Sequence, residues 1–211
     1  MRLTREETKE RNRRALLDAA LRTVSRDGYQ ARLEDIAERA GLTTGAIYSL
    51  FGSKDGLLTE LVTGYLRPHY AEIERAVPAG LTLLEAVDAF ARHYRRTCDG
   101  PGARSGLSLQ IGLLDMALRA PDPGPQLAPL FRMHEEQLVA LFTGRAHGGG
   151  TVTAEQAKRL AVALGALFIG LGQGVVLGLA PDADEQYFAD AARALVSADS
   201  LLDQRPAGTA P

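Results

Sequence analysis

The sequence predicts an all-α protein of nine helices. Alternating β patterns are nearly absent, and apolar residues recur at three- and four-residue spacing in one segment after another. Cap residues, Gly and Pro mark where those segments begin and end. No internal repeat or low-complexity stretch interrupts the pattern.

The elements follow in order. Thr4 with Glu7 makes a capping box, so a first helix starts near Arg5. Leu16, Leu17, Ala20, Leu21 and Val24 line one face of it, Arg11, Arg14, Asp18 and Arg22 the other, and Gly28 stops it. A second helix over 33–40 ends at Gly41, and a third over 44–50 ends at Gly52. Ser53 caps a fourth, which runs past Leu57, Leu58, Leu61, Val62 and Tyr65, is open to a kink at Pro68, and ends at Pro78-Ala79-Gly80. Further helices fall at 82–98, 105–119, 125–145, 154–179 and 184–201, between Gly/Pro-rich breaks, and 204–211 reads as a disordered tail.

A length of 211 residues suits one or two domains, and the 45% apolar and 24% charged shares are those of a soluble globular chain. The net charge of −2 neither supports nor excludes nucleic acid, but its distribution is uneven. Residues 1–66 hold 11 Lys+Arg against 10 Asp+Glu, a net of +1, and the remainder holds 13 against 16, a net of −3. The positive end is therefore N-terminal, where phosphates could be met. The one cysteine, Cys98, excludes an internal disulfide and fits a reducing cytoplasm. It follows Arg95 and Arg96 near a helix end and reads as filler rather than as a redox thiolate. The charged N-terminus gives no signal peptide.

The segment 160–180 has Gln173 as its strongly polar side chain, is long enough to span a bilayer, and carries Gly170, Gly174 and Gly178 at four-residue spacing. Two readings stand. One is a membrane anchor; the other is a helix apolar all round because it is buried in a bundle and a subunit interface, and its five glycines favour the second.

The stretch 33–54, LEDIAERAGLTTGAIYSLFGSK, reads as two short helices joined by a glycine turn. Leu33, Ile36, Ala37 and Ala40 form an inward face, matched by Ile47, Leu50 and Phe51. Thr43, Thr44, Gly45, Tyr48 and Ser49 are left for presentation. Short side chains at a helix start let a backbone approach the floor of the DNA major groove, and Thr hydroxyls and methyls can read base edges. Tyr48 offers a phenol at phosphate height, and Lys54 adds a cation beside the N-terminal N–H groups of the fourth helix. Taken alone, the same pattern also fits an ordinary αα-corner.

The fuller pattern is Gly28-Tyr29, then Asp35-Ile36-Ala37-x-x-Ala40-Gly41-Leu42-Thr43-x-Gly45-x-Ile47-Tyr48-x-x-Phe51-x-Ser53-Lys54-x-x-Leu57-Leu58. Over about residues 9–69 it resembles the TetR (tetracycline-repressor) family of transcriptional regulators. The resemblance implies a DNA-binding domain over 9–69, with its helix-turn-helix at about 32–51, and a ligand-binding and dimerisation domain over 70–203. It implies Thr43, Thr44, Gly45 and Ser49 on bases, and Tyr48 and Lys54 on phosphates. Two positions depart from the family: Leu50 stands where His is frequent, and Arg32 stands where Ser or Thr usually caps the second helix, free to meet a phosphate instead. The partners implied are a palindromic operator in double-stranded DNA, a second copy of the chain held through the last two helices, and a small-molecule effector.

The helices at 82–98, 105–119 and 125–145 would enclose the effector. Candidate walls are Phe90, Tyr94, Leu109, Leu113, Met116, Phe131, Met133, Leu138 and Phe168, with His93, Gln110, Asp115, His134 and Gln173 as polar anchors. Such a lining suits a mostly apolar molecule with one or two polar groups. His93, Asp115 and His134 lack the clustered spacing of a metal site, so no metal and no cofactor is expected. No nucleophile–base pair or phosphate loop is visible, so no catalytic residue is assigned. The expectation is a cytoplasmic, ligand-responsive regulator, a repressor by family habit, with a membrane-tethered DNA binder and a helical-bundle enzyme as alternatives.

Overall fold

The computed structural model describes residues 4–119, 124–197 and 202, apart from the side chains of Tyr29, Met116, 124–131 and His134. Among the described residues there are nine α-helices: α1 Arg5–Asp27, α2 Leu33–Arg39, α3 Thr44–Phe51, α4 Lys54–Ala76, α5 Leu83–Thr97, α6 Ala103–Arg119, α7 Gly124–Phe142, α8 Ala154–Val176 and α9 Glu185–Ser197. The tail 204–211 lies outside the described residues.

The expectation of no sheet needs one correction. Strands β1 (Ala146–His147) and β2 (Gly150–Thr151) form a two-stranded antiparallel ribbon. Gly148 and Gly149 between them have φ of 57° and 80°, and two successive positive φ values are what a tight two-residue hairpin requires. Glycine makes the same stretch both a helix breaker and a strand turn.

Helix boundaries follow from caps. Thr4, Thr82 and Thr153 each accept a hydrogen bond from a backbone N–H three residues on, and Glu7, Glu85 and Gln156 reach back to complete capping boxes. α8 stops at Val176, earlier than 179, because Gly178 takes a positive φ of 73° while Leu179 N donates to Gly174 O at 2.7 Å. α4 runs through Pro68 and ends at Ala76.

Backbone contacts divide the chain into two units. The first comprises the described residues of Met1–Pro68 and Arg104–Phe131, the second those of His69–Ala103 and Arg132–Pro211. The contacts thus group α6 with α1–α3, whereas reading in chain order assigned everything past residue 69 to the second domain.

In the first unit, Leu16, Ala20 and Val24 of α1, Ile36 and Ala37 of α2, Ile47 of α3, Leu57, Leu58 and Leu61 of α4, and Leu109 of α6 share one buried cluster. α6 lies close against α1: a Cβ at Gly112 would collide with the carbonyl oxygen of Val24. Arg13 joins α1 to α3 and α4, with its guanidinium 5.2 Å from the Phe51 ring centroid and paired with Glu60.

In the second unit, α5, α8 and α9 bury Val87, Phe90, Leu160, Leu164, Phe168, Phe188 and Ala192 together. Arg92, Asp88, Arg193 and Gln186 knit the rim between α5 and α9. Arg145, just after α7, is 7% exposed and donates to carbonyls alone, at Leu141 (2.6 Å), Pro78 (3.0 Å), Leu81 (3.0 Å) and Val77 (3.4 Å). Its positive fork thus closes the carbonyl end of α4 and of α7, where the helix dipole favours a cation.

Candidate nucleic-acid interface

The turn between α2 and α3 is built from its backbone bonds. Leu42 N donates to Ala37 O (2.9 Å) and Gly41 N to Glu38 O (2.9 Å), with Gly41 at a φ of 66°. This is a Schellman stop, and a left-handed residue is needed at its centre. One residue later Thr43 starts α3, its Oγ1 accepting from Ala46 N at 3.3 Å. Gly41 and Thr43 thus set the tight re-entry of the chain, while Ile36, Ala37 and Ile47 lock the two helices onto α1.

Burying that face exposes the other. Gly45, Tyr48 and Ser49 are exposed on α3, Tyr48 to 56% although it is a large aromatic, and Thr44 is half-buried. A Cβ built on Gly45 would meet only Thr43 Oγ1, at 3.6 Å. The fold therefore does not require glycine there, and a helical glycine costs about 0.5–1 kcal/mol relative to alanine. An approaching surface would require it. Gly56 is different, because a Cβ there would collide with Phe51 O inside the domain.

The remaining predicted contacts divide. Arg32 is the N-cap position of α2, makes no side-chain cap, and projects with 72% side-chain exposure, only loosely paired with Glu34 at 3.6 Å. Thr43 spends its acceptor on the cap, leaving its O–H as a donor. Lys54 is partly buried and donates to Ala31 O at 2.8 Å, clipping the start of α4 to the segment before α2. Two of its three N–H donors remain for other partners.

The predicted effector residues fall into separate groups. Leu113 packs on the core of the first unit, and Asp115 lies against Gly28 and pairs with Arg119 at 2.6 Å. Gln110, also on α6, is half-buried. Phe90, Tyr94 and Phe168 belong to the second unit and stack as core: Phe90–Phe168 at 5.3 Å edge-on and Tyr94–Phe168 at 5.1 Å face to face, continued by Phe188. Burial pushes the Tyr94 phenol well above its ordinary pKa and raises the Cys98 thiol too. Cys98 Sγ donates to Tyr94 O at 3.4 Å, which suits filler and not a thiolate. Gln173 is half-buried on α8, and the side chains of Met116, Phe131 and His134 lie outside the described residues.

Two features of the second unit escaped sequence reasoning. Tyr70, Ile73, Val77, Leu138, Leu141 and Arg145 are among the residues lining an open cleft of about 350 Å³, and burial pushes the Tyr70 phenol up to about 12. His93 is half-buried beside His69 and Glu72, its pKa held below the ordinary imidazole value by burial and then by Arg96. The cleft has no signature in the sequence, since α4 and α7 meet only in the fold; His69-x-x-Glu72 was a readable i,i+3 pair.

Comparison with known proteins agrees with this geometry. Residues 16–61 match the model of bacterial regulatory proteins of the tetR family. The HTH-type transcriptional regulator BetI of Burkholderia thailandensis is 31% identical over 114 residues, covering 54% of this chain and 50% of that protein. The chain thus aligns with about half the length of that relative. BetI of Burkholderia mallei is 29% identical over 174 residues, covering 77% of this chain and 80% of its own. Among solved structures, Salmonella enterica GusR superposes with a TM-score of 0.64 at 18% identity, over 95% of this chain and 98% of its own. Residues 16–61, spanning the second half of α1 through the start of α4, thus match the tetR family model in sequence, and nearly the whole length of the chain is similar in fold to a solved structure.

Proposed function

We propose that the chain is a ligand-responsive transcriptional regulator, acting as a repressor, that binds a palindromic operator as a homodimer. The observation that carries the DNA reading is the exposed face of α3: Gly45 open to its surroundings, with Thr44, Tyr48 and Ser49 beside it on a helix rigidly backed by Ile47. Thr43, Thr44, Gly45 and Ser49 face bases in this reading, while Tyr48, Arg32 and the spare donors of Lys54 meet phosphates. No catalytic role is proposed, and the working compartment is the cytoplasm.

The α8 surface supports the dimer. Val162, Ala166, Ile169 and Gly170 are exposed along one stripe, and a Cβ at Gly165 or Gly170 would meet nothing within 4 Å. Nothing within the described chain requires those positions to be small, whereas a helix of a second copy packing closely would. A dimer would hold its two reading helices about 34–36 Å apart, one DNA turn. The effector is a mostly apolar small molecule whose binding weakens operator affinity by linkage; the apolar walls of the α4–α7 cleft support that chemistry.

A membrane anchor is the weaker reading of α8. The helix is long and apolar enough to cross a bilayer, at a mean hydropathy of 1.7, but Leu160, Leu164, Phe168 and Gly172 are sealed against α5 and α9.

The test is a gel shift with DNA from upstream of the chain's own coding region. We expect salt-sensitive, sequence-selective retardation, with Tyr48→Ala weakening binding to every sequence about equally and Thr44→Ala changing base preference. Retardation that is indifferent to sequence and to salt would exclude the regulator reading.

A further inference from the structure

We propose that His69, Glu72 and His93 form a binding site for a transition-metal dication of the zinc type. His69 and Glu72 sit three residues apart on α4 and so share one face, and His93 comes from α5. One donor atom from each lies within 4.8 Å of the other two, and the two imidazole centroids are 6.0 Å apart. A tetrahedral ion with bonds near 2.0–2.2 Å sets its donors roughly 3.4 Å apart. The exposed Glu72 side chain can rotate to bring its carboxylate nearer, and the separation of the two imidazole nitrogens is set by the rotamers of His69 and His93.

His93 gives the cluster direction. Its Nε2 is buried and makes no hydrogen bond to any described residue. A buried polar nitrogen without a partner is costly, and a metal ion is one of the few partners that satisfies a neutral imidazole nitrogen fully. Of the nearby cations, Arg96 is paired with Glu185 at 2.7 Å, and Arg75 Nε donates to Ala71 O at 3.1 Å.

The donor chemistry selects the ion. Two imidazoles and one carboxylate favour Zn²⁺, Co²⁺ or Ni²⁺ over Mg²⁺ and Ca²⁺, which prefer oxygen throughout. Three protein ligands leave a fourth position for water or an exchangeable group, so the site is open rather than a closed structural one. Bound metal would tie α4 to α5 within the second unit.

The experiment is titration of the full-length, tag-free chain, freed of metal with chelator, with Co²⁺ alone. Visible d–d absorption saturating at one ion per chain and displaced by Zn²⁺ is expected. His69→Ala and Glu72→Gln should each weaken binding about tenfold or more, and His93→Ala likewise. Circular dichroism of each metal-free variant checks folding; if His93→Ala does not fold, the exposed Glu72→Gln carries the test. A folded wild-type chain that binds no Co²⁺, or binding unchanged in both Glu72→Gln and His69→Ala, overturns the proposal. No DNA enters the measurement, so its outcome is separate from that of the regulator reading.

Discussion

Gly45 concentrates the residue-scale argument. Its missing side chain serves nothing inside the first unit, since the nearest atom to an added Cβ is Thr43 Oγ1 at 3.6 Å. Gly45→Ala should therefore raise stability by about 0.5–1 kcal/mol in urea unfolding, as a helical alanine normally does. The same change should weaken operator binding in a gel shift, because the methyl group stands where a groove floor would approach. Loss of stability and of binding together would instead make Gly45 a folding residue. Arg145 is the opposite kind of position. Its guanidinium satisfies carbonyls of Val77, Pro78, Leu81 and Leu141 from a buried site. Arg145→Met keeps much of the volume and removes every donor, and should cost about 2–4 kcal/mol in the same assay.

At the scale of elements, helix starts carry a pH signature. Thr82 Oγ1 donates to the Glu85 carboxylate at 2.7 Å and Thr82 N at 2.8 Å, which holds that carboxyl below its ordinary pKa of 4.5. The folded state thus prefers the ionised form more than the unfolded chain does. That preference is fully present above about pH 4.5 and fades as pH falls through the lower folded value. Glu85→Gln keeps the box that Gln156 already makes at the start of α8, but has no proton to gain. Thermal melts across the acid range should therefore show the wild type losing an advantage that is constant near neutrality. A gap between the two proteins that does not narrow below pH 4.5 would exclude this origin. The glycine turns act at the same scale: Gly41 and Gly178 end helices through the left-handed conformation that few other residues adopt cheaply, but Gly41 is legible as a stop in the sequence whereas the helix expected over 154–179 runs through Gly178.

For the whole molecule, the decisive expectation is the copy number. The exposed stripe of Val162, Ala166, Ile169 and Gly170 predicts that Ile169→Asp turns a dimer into a folded monomer, measured by sedimentation and circular dichroism. Equal masses for wild type and variant would remove α8 as the interface.

What the sequence determined by itself was local. Capping boxes, glycine stops and apolar stripes act within a few residues, so helix starts at Arg5, Leu83 and Ala154 and the inward faces of α2 and α3 could be read directly. The family resemblance rested on the same short-range pattern, and the match over residues 16–61 lies where that pattern is densest. The tertiary structure decided everything that depends on which faces meet. It grouped α6 with the first unit, and so set Leu113 on that core and Asp115 beside Gly28, while Phe90, Tyr94 and Phe168 joined the core of the second. It turned Lys54 back onto Ala31 and brought His93 beside His69 and Glu72. The physical reason is that periodicity states how apolar a face is and where it points along its own axis, whereas burial, pairing and pKa depend on a second surface from elsewhere in the chain.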